Sequence, residues 1–453
     1  MPAGQFYEHG LIHTYLGAGS AALFGFNMLA MRLPALLVSL PTLWITFVHG
    51  KRWFSPRTGV LALALLALAP EAIEWGGRVR LYSLWQLFTL AGVVLLYQGA
   101  LGNHARSARC LAIASFAGAI LCHLVTLILL PPLALGLLAA YLLGRRFGSQ
   151  LWIPRKIPWA EIVVLVICLG VVLLFVRLDR PGGVAALTEI QFESILHPFR
   201  LVQDMLLGGW QFLKPPYWIT TIIWLTALVS LAVRLLRREH TKQDTQLLYL
   251  SLPVILTVMI FSLVTPIFAR RLRYVYNLLP LYFLGVAFGL DALTTTVEQA
   301  VHGTSRKAAR WLPLVLVILL FVGPASFAAS QQQFGDKRSF EYVKSHWQAG
   351  DVIATNLTVQ SQIVLGRCDY YVAFSEPFIR QADNGSWTDA FLGLPWISTE
   401  QELREVVTAH SRTWLVVEGR HADAYEAVLE DWLTLMHEYQ GISVYLVQPE
   451  DAP

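Results

Sequence analysis

Arg270, Arg271 and Arg273 stand immediately before Tyr274. Guanidinium forks so placed suit a phosphate or pyrophosphate group, through short charge-assisted hydrogen bonds. Ordinary lipid-headgroup contact is the competing use. Arg80 and Tyr82 head an apolar run, as an anion-binding pair or as an interfacial anchor pair. Glu71 and Glu74 lie just upstream, where paired carboxylates could hold ligand hydroxyls or a Mg²⁺-type cation, or close salt bridges to Arg78 or Arg80. His9 and His13 are four apart and would share one helical face. No further ligands for a metal stand near them, so they read as anion or acceptor contacts, or as interfacial histidines. Glu8 is the sole carboxylate before Glu71 and hence the one local proton acceptor. His123 lies inside an apolar run, where an ionisable group is a functional candidate by default and a neutral imidazole bonded between helices is the alternative. Trp210, Tyr217 and Trp218 could stack on a flat ligand face or belong to an aromatic belt.

Positioning such groups requires the elements around them. The chain has 453 residues, 55% hydrophobic and only 14% charged, against about 25% charged in ordinary soluble domains. A soluble fold of this size could not cover that apolar surface, so composition excludes disorder, a collagen-like chain and a disulfide scaffold and points to a polytopic membrane protein. Four cysteines without a CxxC or Cys/His spacing support neither a disulfide framework nor a zinc site. Ten apolar stretches are long enough to cross about 30 Å of hydrocarbon: 29–49, 58–75, 82–101, 110–126, 127–143, 159–177, 217–236, 247–266, 274–293 and 311–329. One set of alternate loops carries sixteen Lys and Arg and the opposite set nine. The positive-inside bias therefore makes the first set cytoplasmic and puts Arg80 and the 270–273 cluster on the outer side of a cytoplasmic (inner) membrane. The net charge of +4 hides a split: residues 1–330 balance at +14 and residues 331–453 at −10. The basic excess follows from topology, so no nucleic-acid partner is implied.

Residues 1–28 read as an amphipathic segment on the outer surface, and 29–330 as the multi-span domain. The loop 178–216, about 39 residues, is long enough to be functional. Residues 336–453 read as a small extracytoplasmic α/β domain. Val352–Ala354, Trp414–Val417 and Ile442–Val447 have strand patterns. Helices are predicted over 399–410, opened by a Thr399/Glu402 capping box, and over 422–438.

Taken in order, Tyr7-Glu8-His9-Gly10, Leu23-Phe24-Gly25, Met31-Arg32-Leu33-Pro34-Ala35, Ala69-Pro70, Arg80-Leu81-Tyr82-Ser83-Leu84, Cys122-His123, Arg273-Tyr274 and Leu279-Pro280 resemble the GT-C membrane glycosyltransferases. The nearest branch is the bacterial family related to protein O-mannosyltransferases and to lipid A aminoarabinose or galacturonic acid transferases. The resemblance covers roughly residues 5–330. It implies an all-α bundle with its active site on the outer side, a polyprenyl-phosphate sugar as donor, and a hydroxyl of a lipid, glycan or protein as acceptor. An acidic residue of the first outer loop would serve as general base. His9, Arg80, Tyr82, His123, Arg270, Arg273 and Tyr274 become substrate contacts on this reading, with Glu71 and Glu74 as acidic contacts. No cofactor is evident, and a divalent metal stays open.

Two positions depart from the family pattern. Its first span and acidic motif lie upstream of the segment matching Tyr7–Gly10, so the chain is expected to lack that span, and Glu8 is the substitute base. Arg78 stands where relatives tend to be acidic. Three functions follow: an outward-facing glycosyltransferase, a non-catalytic scaffold or sensor of the same fold, and a lipid-linked sugar transporter. Against the last, no inverted repeat or broken-helix pair appears.

Overall fold

The computed structural model describes residues 11–25, 27–102, 105–145, 159–179, 216–264, 275–301, 308–331, 335–374, 379–382, 385–389, 392–418, 422–429, 432–439 and 441–448. Glu8, His9, Arg270, Arg271, Arg273, Tyr274 and nearly all of the 178–216 loop lie outside these residues. The chain divides into two compact units. One holds residues 6–20 and 31–329; the other holds 330–453 with 1–5 and 21–30.

The larger unit is helical throughout: α1 (Leu11–Phe24), α2 (Met28–Trp53), α3 (Pro56–Ala67), α4 (Pro70–Gly76), α5 (Tyr82–Ala100), α6 (Arg106–Cys122), α7 (Thr126–Gly144), α8 (Trp159–Asp179), α9 (Tyr217–Leu236), α10 (Lys242–Val264), α11 (Leu279–Ala300) and α12 (Leu312–Gln331). Among the described residues each stretch predicted to span is mainly helical, with breaks at Leu68–Ala69 and at His123–Val125. Among the described residues seven helices are individually long and apolar enough to cross a membrane, and α3 with α4 makes an eighth if the two are one bent span, a broken pair that the sequence was not expected to contain. The bend of 61° has a local cause. Ala69 is extended at φ −63°, ψ 125°, as the residue before a proline prefers, and Pro70 restarts the helix at its first position without an N–H to satisfy. A similar break separates α6 from α7, where His123 is extended at φ −156°, ψ 120°.

Polar groups are few in this unit, so close packing holds the helices together. A methyl group on Gly50 would sit 2.8 Å from Gly59 Cα, which is why α2 and α3 can touch backbone to backbone. The centre of the unit is α11, with Leu279, Leu281, Tyr282, Phe283, Leu284, Val286 and Ala287 all buried. Exposed side chains elsewhere are largely apolar, as on Leu36, Leu40 and Trp44 of α2 or Leu319 and Val322 of α12, which is the surface that lipid covers.

The smaller unit is α/β. After α13 (Gly335–His346) come β1 (Val352–Thr355), α14 (Thr358–Leu365), β2 (Tyr370–Val372), β3 (Ile379–Gln381), β4 (Trp387–Asp389), β5 (Trp396–Ile397), α15 (Glu400–Thr408), β6 (Thr413–Glu418), α16 (Ala422–Leu429), β7 (Leu433–Tyr439) and β8 (Ile442–Val447). Six strands form one sheet in the order β5-β2-β1-β6-β8-β7, and β3 pairs with β4. The first four of the six run parallel, and β8 and β7 are antiparallel additions. Strand side chains alternate between two cores: Ala354, Leu415, Val417 and Tyr445 enter one, and Ile353, Trp414, Val416 and Val444 the other. Because both faces are covered, β6 reads as a continuous apolar run, as buried parallel strands do. The capping box of α15 is present in full. The predicted helix 422–438 is corrected: it stops at Leu429, and Leu433–Tyr439 is a strand on β8. Pairing with an adjacent edge overrode helical propensity there.

Candidate functional site

Helix direction alternates through the larger unit, so the helix ends sort into two sets. One set gathers the start of α4, the starts of α5 and α7, the end of α6, the start of α9 and the turn before α11. Pro70 ends the apolar run of α3 and places Glu71 in the first turn of α4. Tyr217, the first residue of α9, is buried and donates its phenol O–H to the Glu71 carboxylate. Tyr276 is buried in the turn before α11, and its carbonyl accepts Gln86 Nε2–H of α5 at 2.9 Å. Asn277 Nδ2–H reaches Thr89 Oγ1 at 3.3 Å. Glu71 of α4 is thus bonded from α9, and separate bonds tie α5 to the turn before α11. A hydrogen-bonded carboxylate keeps further acceptor sites, so Glu71 can still take a hydrogen bond or a proton from a ligand hydroxyl.

Its neighbour Glu74 is committed elsewhere. Arg78 Nη2 lies 2.8 Å from Glu74 Oε1, and the same guanidinium covers the Trp75 ring at 4.9 Å. The salt-bridge alternative therefore holds for Glu74 and Arg78. Arg80 is exposed and makes no side-chain ion pair among the described residues.

An aromatic wall follows. Trp75 and Tyr82 lie 4.4 Å apart between ring centroids, and Trp85 stacks on His123 at 4.8 Å and 24°. Tyr82 is 6.4 Å from His123. Trp75 and Trp85 are buried, while Tyr82 and His123 are half-buried, so two buried indoles back two accessible rings. His123 is fixed by its own helix break. Its Nδ1 accepts the Val125 N–H at 3.3 Å, which assigns the proton of the neutral ring to Nε2. Trp85 Nε1–H donates to Thr126 Oγ1 at 2.7 Å, tying α5 to the start of α7.

His13 is the third residue of α1. It is 6% exposed, and its Nε2 has no hydrogen-bond partner among the described residues. Burial, with the nearby Arg80 charge as the second cause, pushes its pKa down to about 4 and keeps the imidazole neutral.

The structure therefore brings together His13, Glu71, Arg80, Tyr82 and His123 from the sequence candidates and diverts Glu74 to Arg78. Glu8, His9, Arg270, Arg273 and Tyr274 lie outside the described residues. The sequence reading missed the bond from Tyr217 to Glu71 and the part of Tyr276. Nothing local could have revealed either, because the partners lie far apart in the chain. Among the described residues no group of three His, Cys, Asp or Glu side chains could hold a metal ion.

The opposite ends of the same helices look different. Ser55 and Thr58 both donate to Asp291, Thr58 at 2.9 Å. Arg57 reaches Asp291 at 3.3 Å and Glu298 at 2.8 Å, and Arg310 adds to Glu298 at 3.6 Å. Arg109 pairs with Glu161 at 2.7 Å, and Arg234 Nε with Asp244 at 3.1 Å.

Residues 8–175 match the family described as dolichyl-phosphate-mannose-protein mannosyltransferase. Comparison with curated proteins gives no match. Solved structures match over nearly the whole chain. ArnT from Cupriavidus metallidurans bound to undecaprenyl phosphate aligns at a TM-score of 0.57 and 13% identity, covering 99% of this chain and 89% of that one. Its apo state aligns at 0.55 with the same identity and coverage. The Archaeoglobus fulgidus oligosaccharyltransferase, in complex with Zn and sulfate, aligns at 0.51 and 11% identity, covering 100% of this chain and 66% of that one. At these identities the structural matches establish a shared fold.

Proposed function

We propose that this chain is a multi-pass membrane glycosyltransferase of the GT-C class that moves a sugar from a polyprenyl-phosphate carrier to a hydroxyl acceptor, a reading that the family match over residues 8–175 and the shared fold support. The observation that carries the reading is the Glu71 carboxylate held by Tyr217 beside the Tyr82 and His123 rings, with the Arg80 cation nearby. Glu71 takes the acceptor proton as the acceptor oxygen attacks the anomeric carbon. The bond from that carbon to the phosphate oxygen breaks, and the phosphate departs on its lipid. Arg80 and the Arg270 and Arg273 guanidiniums offset the charge that builds on the leaving group. The Tyr82 and His123 rings present flat apolar faces to the sugar. Tyr217 fixes the orientation of the base, which would otherwise sample several rotamers.

The Lys and Arg bias of the loops supports placing this end outside the cytoplasmic membrane, with the acidic α/β unit on the same side. Lipid-linked donors and hydroxyl acceptors meet at that surface. Polyprenyl phosphate is named with the ArnT structure, which supports the class of donor and leaves the sugar open.

The test is release of polyprenyl phosphate from a polyprenyl-phosphate sugar by purified protein with a hydroxyl acceptor. Glu71→Gln should lower turnover by about 10²–10⁴-fold, the usual value of a general base, while donor binding persists. Wild-type turnover in Glu71→Gln would remove Glu71 from the reaction. A protein that binds donor but never releases phosphate would favour the scaffold reading.

A further inference from the structure

We infer that His13 completes the seat for the donor phosphate: its imidazole Nε2–H and the Arg80 guanidinium donate together to phosphate oxygens. The inference rests on the glycosyltransferase reading above and extends it to a residue of α1.

The starting point is a buried nitrogen without a partner. His13 is 6% exposed and its Nε2 is unmet among the described residues. Such a group costs free energy, and a native protein tolerates it where a ligand or ordered water supplies the missing bond. The position is tied to the site. Ile12, the preceding residue, packs on the cluster of Leu84, Trp85, Ala119 and Cys122, which Leu81 and Tyr82 also contact. That packing brings the first turn of α1 alongside the segment carrying Arg80. The Arg80 charge reaches the imidazole and, after burial, is the second cause holding it neutral.

Neutrality selects the chemistry. A neutral imidazole offers one N–H donor and one acceptor, and beside a cation the favoured ligand is an anion that accepts from both. The oxygens of a tetrahedral phosphate can take donors from two directions at once, and Arg80, exposed and without an ion pair among the described residues, supplies the second. Arg78, two residues away, cannot substitute, since Glu74 and Trp75 already hold it.

The probe is a short-chain polyprenyl phosphate, bound to the full-length protein in detergent. His13→Phe should weaken binding about tenfold or more, because a hydrogen bond to a charged group is worth roughly 1.5–3 kcal/mol. His13→Gln, which keeps an N–H donor, should recover most of the loss. His13→Ser carries the same expectation as Phe should the larger ring prevent folding. Combined with Arg80→Ala, the loss should fall short of the product of the single losses, since both donors serve one phosphate. In turnover, KM for the donor should rise while kcat holds. The corresponding polyprenol should bind all variants alike. Phosphatidylglycerol should lose little, and an equal loss for it would make the site one for headgroups and overturn the inference. Unchanged binding in His13→Phe, with wild type binding normally, overturns His13 and leaves the glycosyltransferase reading standing. A wild-type protein that fails to bind polyprenyl phosphate overturns both.

Discussion

The two ends of the helical unit use charge in opposite ways. At the Arg57 end each carboxylate named above meets a cation: Asp291 and Glu298 meet Arg57, Glu161 meets Arg109, and Asp244 meets Arg234. At the Glu71 end the central carboxylate is bound by a neutral phenol, a cation stands exposed at Arg80, and an imidazole nitrogen is buried without a partner among the described residues. Closed ion pairs fix helices in place and leave nothing for a ligand to satisfy. Unmet donors and a neutral-bonded carboxylate cost stability and leave interactions for a substrate to complete. Active sites commonly carry such strain because the rest of the fold holds them in place. Here the holding is visible, since α3, which leads into Glu71, α9, which presents Tyr217, and α6, which ends before His123, are pinned at their far ends.

The contrast can be broken from either side. The largest effect is expected at the pinned end. Arg106→Met together with Arg109→Met strands the Glu161 carboxylate, which the two guanidiniums meet at 3.8 and 2.7 Å, and should cost roughly 3–5 kcal/mol. Thermal unfolding in detergent should show the loss, and an unchanged midpoint would mean the pair is solvated in the membrane-bound protein.

The next effect separates the ends by pH. His13 titrates near 6.5 when unfolded and about 4 when folded. Between those values the unfolded chain binds a proton that the folded one refuses, so stability is full above pH 6.5 and falls as pH drops toward 4. The difference amounts to roughly 3 kcal/mol at the lower limit. A His13→Gln variant should lack that slope, and parallel curves for the two proteins would show that His13 is not buried in solution.

Tyr217→Phe should be milder and should act on function first. Loss of one hydrogen bond to a charged group is worth about 1.5–3 kcal/mol, which should appear as a fall in kcat of about tenfold or more, with donor binding kept. Equal falls in binding and turnover would assign Tyr217 to packing.

The smallest effect lies in the other unit and serves as a control on both ends. Thr399→Ala removes the cap that accepts the Glu402 N–H at 3.2 Å and should cost about 1 kcal/mol. Limited proteolysis should register it in residues 335–448 alone, and a parallel loss in the helical unit would couple the two.

Much of this was readable from residue type and order. Among the described residues the apolar stretches are mainly helical because a backbone in hydrocarbon must satisfy its own hydrogen bonds, so hydropathy nearly dictates structure there. Thr399 with Glu402 announced the start of a helix, because a capping box acts on its own neighbours. In the α/β unit the same locality failed once. Residues 433–438 suit a helix by composition, yet an open edge on β8 gave them better hydrogen bonds as a strand.

The site divides along the same line. Sequence alone put Arg80 and Tyr82 at the head of an apolar run and Glu71 and His123 within two others, and the structure put breaks beside Glu71 and at His123. Only the tertiary structure decided which would be spent on one another. Glu74 went to Arg78 because they are one helical turn apart. Glu71 went to Tyr217, 146 positions away, through the packing of α4 against the start of α9. His13 was left buried beside a cation because α1 folds onto the turn that carries it. Such pairings depend on how helices pack in three dimensions, and periodicity within a single helix carries no record of them.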